Sequence, residues 1–243
     1  MNKLNILTVA TILFATSLAA KAQGTFIPIE TKSNAIVLQV TTDGYVNMVY
    51  FGKKLADKNE YQHTEHFFHL DGNGVFNSAY TGTTRNLLEP AFAVTHADGN
   101  KTTDLKFVSQ SVDQLSNDIS QVNIGLKDPV YDVEVALHYK IYYAEDVIEQ
   151  WSTIEHHEKK SITLNKYASA NLLIQAKSYW LKQYHGEWAK EMRPEEEQLT
   201  HGIKTLDSKL GARADIFQPP SFMISLDKPV SEDDGDVILA NLE

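Results

Sequence analysis

The sequence has 243 residues and a net charge of −10, from 32 acidic and 22 basic side chains. This acidic balance disfavours binding to nucleic acid or to an anionic membrane, because both attract basic proteins. The chain contains no cysteine, so disulfides cannot stabilise it and it needs a packed core. With 42% hydrophobic residues it is long enough to bury one, either as a single large all-β domain or as two small ones.

The first 22 residues have the pattern of a secretory signal peptide. Lys3 gives a basic start, residues 4–20 form an apolar stretch, and Ala20-Lys21-Ala22 matches an A-x-A cleavage site. We therefore expect residues 1–22 to be cleaved and the mature protein to be periplasmic or secreted. A retained membrane anchor is the alternative, although polar residues interrupt the apolar stretch.

Most of the remaining chain alternates apolar and polar residues with the period of a β-strand. Residues 31–41 and 45–50 predict a hairpin, because the turn sequence Thr42-Asp43-Gly44 lies between them. The clearest strand is predicted over residues 131–143, with one apolar face and one mostly polar face. Further strands are predicted over residues 147–155, 161–165, 171–174, 222–226 and 237–240, with two more inside residues 179–211.

This succession of strands predicts an all-β fold, a large antiparallel β-sandwich with few short helices. Two regions depart from the pattern. Residues 53–82 are polar and aromatic and predict an elaborated loop, a type of segment that often has a function. Residues 188–197 are ambiguous, because they are compatible with one or two helical turns before or around Pro194.

Histidine and acidic clusters do not define a metal site by their spacing. His63, His66 and His69 are three residues apart, which does not place all three on one face of a strand. His156-His157-Glu158 predicts a solvated turn between strands. Residues 232–236 lack the ligand order of an EF-hand loop and predict a tight acidic turn. We therefore assign no metal and no cofactor.

The sequence also assigns no catalytic residue. It has no nucleophile elbow, phosphate-binding loop, dinucleotide fingerprint or H-E-x-x-H motif. Glycoside hydrolysis requires two positioned carboxylates, and the many acidic residues mark out no such pair. Residues 179–211 concentrate aromatic side chains, including Trp180 and Trp188, beside polar ones. That composition is typical of a sugar platform and equally of a packed sheet edge.

A series of short motifs resembles the N-terminal domain of glycoside hydrolase family 36, the microbial α-galactosidases. The motifs run in the family's order over nearly all of residues 44–242. They are Val49-Tyr50-Phe51-Gly52-Lys53-Lys54-Leu55, Pro90-Ala91, His96-Ala97-Asp98-Gly99-Asn100, Thr103-Asp104-Leu105, Leu137-His138-Tyr139-Lys140-Ile141-Tyr142, Asp146-Val147-Ile148-Glu149-Gln150-Trp151, Ser169-Ala170, Trp180-Leu181, Gly186-Glu187-Trp188, Leu199-Thr200-His201-Gly202, Ser208-Lys209-Leu210-Gly211 and Pro220-Ser221-Phe222. Arg85-Asn86-Leu87-Leu88 departs from the Asp-Phe-Arg element that the family tends to have there.

The resemblance implies a β-supersandwich over residues 23–243, which the family follows with a catalytic (β/α)₈ barrel and a C-terminal β domain. The sequence has no Lys-x-Asp triplet, the type that carries the family's nucleophile, so we expect this chain alone to be inactive. For the whole enzyme, the resemblance implies retaining hydrolysis of terminal α-D-galactosides. The implied partners are the barrel, α-galactoside oligosaccharides and, as one arrangement, further copies of the protein.

Within this domain, the predicted substrate-cleft or interdomain residues are Tyr184, His185 and Trp188. The loop over residues 53–82 is a second candidate for that role. For Trp188 taken singly, packing in the core is the favoured role. The alternative function is a stand-alone carbohydrate-binding or structural β-sandwich module.

Overall fold

The computed structural model describes residues 24–64, 78–84, 89–207 and 217–242. The expected signal peptide, His66, His69 and the motifs at residues 85–88 and 208–211 lie outside these ranges. Within them the chain forms antiparallel strands and one short 3₁₀ helix, which confirms the predicted all-β class. The chain divides into an N-terminal unit, Met1–Leu173, and a C-terminal unit, Ile174–Glu243.

The described part of the N-terminal unit contains three sheets, with strand orders β1-β2-β3, β4-β9 and β5-β6-β7-β8. Its strands are β1 (Thr25–Glu30), β2 (Asn34–Val40), β3 (Val46–Lys53), β4 (Phe92–Thr95), β5 (Lys106–Gln114), β6 (Ile119–Lys127), β7 (Val133–Tyr142), β8 (Val147–His156) and β9 (Thr163–Tyr167). The 3₁₀ helix, Lys58–His63, follows β3.

The predicted hairpin and the predicted central strand are both present. Val40 pairs with Val46 across the β2–β3 turn, where Gly44 adopts a φ of 83° that a residue with a Cβ rarely adopts. Strand β7 alternates buried and partly exposed residues along its whole length. One face of the four-stranded sheet is therefore core and the other faces solvent, as the sequence period indicates.

One apolar core joins the inner faces of the three-stranded and four-stranded sheets. Its buried members include Ile36, Leu38 and Met48 from the first sheet, and Ile124 and Leu137 from the second. Phe92 and Val94 of β4 complete it. Two sheets that share one core are a β-sandwich, which is the predicted architecture.

The three-stranded sheet is buried on its second face as well. Ala35, Val37 and Val49 pack there against Tyr61 of the 3₁₀ helix. The Tyr61 hydroxyl donates to Glu30 Oε1 at 3.0 Å, so this buried phenol has a partner. Part of the predicted loop over residues 53–82 thus serves as a cover for the sheet.

The C-terminal unit is a four-stranded antiparallel sheet with the order β11-β10-β12-β13. Its strands are β10 (Tyr179–Glu187), β11 (Lys190–Leu199), β12 (Ser221–Leu226) and β13 (Asp236–Asn241). Among the described residues of this unit only Leu181, Gln183 and Ser225 are buried side chains of the sheet. The unit therefore has a much smaller interior than the N-terminal sandwich.

Two expectations about secondary structure are wrong. Residues 171–174 form no strand, and Asn171 instead donates its side-chain amide to Ser78 O at 3.2 Å. The helical alternative for residues 188–197 also fails, since β11 occupies most of that stretch. Pro194 lacks an amide hydrogen, which interrupts a helix but is tolerated on an edge strand, and β11 is an edge strand.

The acidic segment at residues 232–236 ends a connection between β12 and β13 that spans residues 227–235. This confirms a turn between two strands, although the turn is longer than a tight hairpin. Gly235 has a φ of 122°, a conformation that favours glycine.

Glu158 is not solvated, contrary to the prediction for His156-His157-Glu158. Its side chain is 9% exposed, and Oε1 lies 2.7 Å from Nδ1 of the fully buried His96. Oε2 accepts from the Ala97 amide at 2.9 Å. On the other side of the ring, His96 Nε2 is 3.0 Å from the Thr102 carbonyl oxygen. This buried pair ties the turn after β4 to the segment after β8.

Tyr131 and Asp98 extend the His96–Glu158 pair. The Tyr131 ring stacks on the His96 ring, with centroids 3.6 Å apart and planes 9° apart. Its hydroxyl donates to Asp98 Oδ2 at 3.0 Å. The turn after β4 is therefore held in place by residues that are widely separated in the sequence.

We expect Leu137→Ala to lower the free energy of unfolding by about 2–5 kcal/mol, because it leaves a cavity between the two sheets. Leu137 is 1% exposed. Urea denaturation measures the change. The control is Val112→Ala on the same sheet, where the side chain is 59% exposed and the expected change is within about 0.5 kcal/mol. Equal losses in the two variants would contradict a core at Leu137.

Glu158→Gln is expected to reduce the loss of unfolding free energy that occurs as the pH falls. Burial raises the pKa of Glu158, but hydrogen bonds from Ala97 and His96 outweigh it and hold the pKa below its ordinary value of 4.5. A carboxylate with a lowered folded-state pKa stabilises the protein above that ordinary value and loses the effect as pH falls through the folded pKa.

The free energy of unfolding, measured by urea denaturation from neutral pH to below pH 4.5, tests this expectation. Wild type should lose more stability over the acid range than Glu158→Gln does. The matched control is Glu155→Gln, an exposed position near the end of β8 and three residues before Glu158, which should keep the wild-type slope. Parallel curves for wild type and Glu158→Gln would show that the carboxylate is not coupled to folding.

Candidate functional site

Trp188 lies at the tip of the β10–β11 hairpin. Glu187 pairs with Lys190, so Trp188 and Ala189 form the two-residue connection. Ala189, the second residue of the connection, has a φ of 60°, in the left-handed region that residues other than glycine adopt uncommonly. The Trp188 side chain is 86% exposed. The expectation that Trp188 packs in the core is therefore wrong, because a side chain at a hairpin tip has no second layer against which to pack.

A β-bulge sits directly behind this tip. His185 pairs with Arg193 and Glu187 pairs with Lys190, which leaves two residues of β11 opposite Gly186. Met192 in the bulge has a φ of 51° and is 46% exposed. Bulges of this type increase the local twist and change the direction of a strand end.

Backbone hydrogen bonds support the base of the tip. Gly186 and Phe217 exchange two N–H···O bonds of 2.8 Å each. Gln218 donates its side-chain amide to Tyr184 O at 3.0 Å. The pairing of β10 with β12 ends at Gln183, so the hairpin continues past it by four residues, about 13 Å at the usual rise of a strand.

The structure separates the three residues predicted at the cleft or interdomain surface. Tyr184 and His185 are neighbours on β10 and project to opposite faces, because strand residues alternate. His185 is exposed, with Nδ1 4.0 Å from Glu195 Oε2, and Tyr184 is partly buried opposite Pro194. Trp188 lies beyond both, at the tip of the hairpin. The three side chains therefore do not converge on one face of the hairpin. Contact of these residues with a substrate or another domain stays a prediction.

The three consecutive glutamates of β11 are divided between the two faces of the hairpin. Glu196 lies 3.3 Å from Lys182 across the strand pair. Glu195 accepts from Gln183 at 3.1 Å, and Glu197 contacts Lys204. Each glutamate therefore has a polar partner, and Glu195 and Glu196 stay exposed to solvent.

A second group of charged residues lines an open depression of about 410 Å³ in the N-terminal unit. Its walls carry Asp98, Asp132 and Glu158, together with Tyr131, Lys159 and Lys160. Three carboxylates near one depression raise the question of acid–base chemistry.

The hydrogen bonds of these carboxylates argue against a general acid in the depression. The Asn100 amide and the Tyr131 hydroxyl lower the pKa of Asp98. Hydrogen bonds from Ala97 and His96 lower the pKa of Glu158 despite its burial. Asp132 accepts from Lys127 at 3.1 Å. A glycosidase acid needs a raised pKa so that it keeps its proton, and Asp98 and Glu158 are shifted the other way.

Sequence reasoning did not find the His96–Glu158 pair, because 62 positions separate the two residues and no local motif links them. The only hint was the family motif that contains His96. Within the described ranges, no group of three His, Asp or Glu residues is arranged to hold a metal ion, and His63 is an exposed residue at the end of the 3₁₀ helix. The described part of the chain also has no helix long and apolar enough to cross a membrane.

The fold resembles those of several solved α-galactosidases. The enzyme from Lactobacillus brevis superposes with a TM-score of 0.74 at 20% identity, over 84% of this chain and 31% of that one. AgaA of Geobacillus stearothermophilus, a family 36 α-galactosidase, gives a TM-score of 0.73 at 20% identity, over 84% of this chain and 32% of its own. At these identities the likeness establishes the fold.

Sequence comparison identifies the family. α-Galactosidase Mel36A of Lactobacillus acidophilus is 27% identical over 129 residues, which are 53% of this chain and 17% of Mel36A. The chain thus spans under a third of the length of the relatives that it matches. The family model for the glycosyl hydrolase family 36 N-terminal domain matches residues 44–243. The chain belongs to glycosyl hydrolase family 36 and carries that family's N-terminal domain.

Proposed function

We propose that this chain is the N-terminal domain of an exported α-galactosidase, which as a whole hydrolyses terminal α-D-galactosides with retention. The match of the family's N-terminal domain over residues 44–243 carries the proposal. Variants of the Geobacillus enzyme AgaA were solved with raffinose and with stachyose, which makes α-galactoside oligosaccharides the first substrates to test. The signal-peptide pattern of residues 1–22 is the reason for proposing export.

In this proposal the domain supports the catalytic barrel and does not perform the chemistry. Asp98 and Glu158 are held ionised by hydrogen bonds, so they are unsuited to protonate a leaving group. The N-terminal unit has the extensive core of a support domain, since its two main sheets bury their inner faces against each other. Its role is then to assist folding and assembly of the enzyme.

The β10–β11 hairpin is the part of the domain best suited to form an edge of the substrate cleft. Trp188 exposes a flat apolar surface to solvent at the end of the hairpin, with 86% of the side chain accessible. The paired strands and the Gly186–Phe217 bridge hold that surface in place. A fixed indole stacks well on the C–H face of a sugar and loses little conformational entropy when it binds. The cleft can belong to the same subunit or to another copy.

The chain by itself is expected to show no turnover of an aryl α-galactoside above background, because Asp98 and Glu158 are unsuited to be the general acid and the sequence has no Lys-x-Asp triplet of the type that carries the family's nucleophile. Release of the aryl alcohol is the measurement. The Asp98→Asn and Glu158→Gln variants serve as controls for contaminating activity. Turnover that falls in either variant would show that the depression is catalytic and would refute the support role.

In the whole enzyme, Trp188→Ala should raise KM for raffinose about fivefold and leave kcat nearly unchanged, since a lost stacking contact of about 1 kcal/mol weakens binding by that factor. Steady-state kinetics give both constants. The control is Leu239→Ala, which removes a 64% exposed side chain from β13 of the same unit and should leave KM unchanged.

An unchanged KM in active Trp188→Ala enzyme would rule out the cleft-edge role and leave the α-galactosidase assignment standing. A whole enzyme that is inactive on every α-galactoside would overturn the assignment itself. The two results are therefore distinguishable.

A further inference from the structure

The solvent-facing side of the four-stranded sheet carries a row of aligned polar and aromatic side chains. Ser111 of β5 pairs with Asn123 of β6, Asn123 pairs with His138 of β7, and His138 pairs with Trp151 of β8. Because directly paired residues project to the same face, these four side chains form one line across the sheet. Four strands at the usual spacing make this line about 14 Å long.

Hydrogen bonds fix the orientation of the row. Asn123 Oδ1 accepts from Gln121 Nε2 at 2.6 Å, and Asn123 Nδ2 donates to Asp113 Oδ2 at 2.8 Å and to Ser111 Oγ at 3.2 Å. Asn123 Oδ1 also lies 2.7 Å from His138 Nδ1. An amide oxygen only accepts, so His138 donates from Nδ1.

The state of His138 follows from this donation. Nε2 lies 3.0 Å from the Thr153 hydroxyl, which is placed to donate to it. Burial lowers the pKa of His138, so the ring is neutral at pH 7 and Nε2 is free to accept. The hydroxyl oxygen of Thr153 and the second carboxylate oxygen of Asp113 remain able to accept hydrogen bonds from outside.

Trp151 ends the row with a flat apolar surface. Its ring stacks on His138, with centroids 4.9 Å apart and planes 19° apart, so His138 covers one face of the indole. Strand β8 is the edge of this sheet, and the other indole face is turned away from β7. Trp151 is only partly exposed, and the indole N–H makes no hydrogen bond to the described residues.

We propose that this face binds a carbohydrate, with one sugar ring stacked on Trp151 and its hydroxyls bonded to the polar groups of the row. A pyranose has an apolar C–H face bordered by hydroxyls, and an indole flanked by fixed donors and acceptors matches both features. The row is polar next to the tryptophan, which makes it unlike the apolar centre of a protein–protein interface. Its length accommodates more than one sugar ring.

The side chains of the row are also preorganised for binding. Neighbouring strands hold each side chain, and Gln121, Asn123, His138 and Thr153 hold one another, so a ligand orders few groups when it binds. The row consists of other residues than the β10–β11 hairpin, and a carbohydrate site there does not depend on the proposed function. Only the choice of a galactoside as the first probe rests on that proposal.

The test is a titration of the ¹⁵N-labelled full chain, monitored by NMR, with raffinose and in parallel with maltose. The chain has 3 tryptophans, and Trp→Phe variants assign their indole N–H signals. We expect the Trp151 signal and the Asn123 side-chain amide signals to shift with a Kd of about 1 mM, the weak affinity of a single stacking contact with a few hydrogen bonds. Galactose and glucose then show which ring is recognised.

Trp151→Ala removes the indole signal itself, so the Asn123 side-chain amide signals report on this variant, and their shifts should be abolished. Thr153→Val, which keeps a β-branched side chain on the strand, should weaken binding about fivefold, as expected for a lost hydrogen bond. Val112→Ala, on the opposite face of the same sheet, should bind like wild type. The spectra of both binding variants show directly whether the sheet is still folded.

Shifts of the Trp151 and Asn123 signals with either oligosaccharide support the site if the Asn123 shifts are lost in Trp151→Ala and both signals respond more weakly in Thr153→Val. The proposal is overturned if no sugar moves the Trp151 signal, or if Thr153→Val, still folded, binds as tightly as wild type. Because the readout is binding and not hydrolysis, neither outcome bears on the α-galactosidase assignment.

Discussion

Burial between the three-stranded and four-stranded sheets is the interaction on which the rest of the structure depends. Each inner face contributes every second residue, and Ile36, Leu38, Ile124 and Leu137 are almost wholly removed from water. A chain without disulfides has no other large source of stability. The solvent faces of the same strands are then free to carry polar side chains, and the row from Ser111 to Trp151 lies on such a face.

Carboxylates that accept several hydrogen bonds fix the turns at the ends of this core. Glu158 holds His96 and the Ala97 amide, and Asp128 accepts from the amides of Asp104, Val130 and Tyr131. Asp146 joins the turn after β7 to Thr31 and Ser33, and these hydrogen bonds lower its pKa. Glu158 and Asp128 accept from partly buried backbone amides that would otherwise lack partners, whereas the Asp146 hydrogen bonds to Ser33 are exposed. The sandwich is thus closed at its ends by charge-assisted hydrogen bonds.

The sequence predicts those features that depend on neighbours along the chain. The alternation in β7 and the Gly44 turn identify a strand and a hairpin, because both signals are local. The pairing of β4 with β9 and the His96–Glu158 contact join residues distant in sequence, so no local period reveals them. The exposure of Trp188 is not predictable for a related reason. Hydrophobicity favours burial of a side chain but does not show that the residue lies in a turn. Trp151 was recognised only as part of a family motif, since its stacking partner is on another strand.

The position of Pro194 has a consequence for how copies of the protein meet in solution. Strand β11 is an outer strand of its sheet, and outer strands offer unpaired amides to which another chain can add. Pro194 removes one of those amides, and the left-handed Met192 bends the strand just before it. The glutamates that follow add negative charge along the same strand. The free edge of β11 is therefore a poor template for aggregation. The hairpin can expose an aromatic side chain without pairing with strands of other molecules.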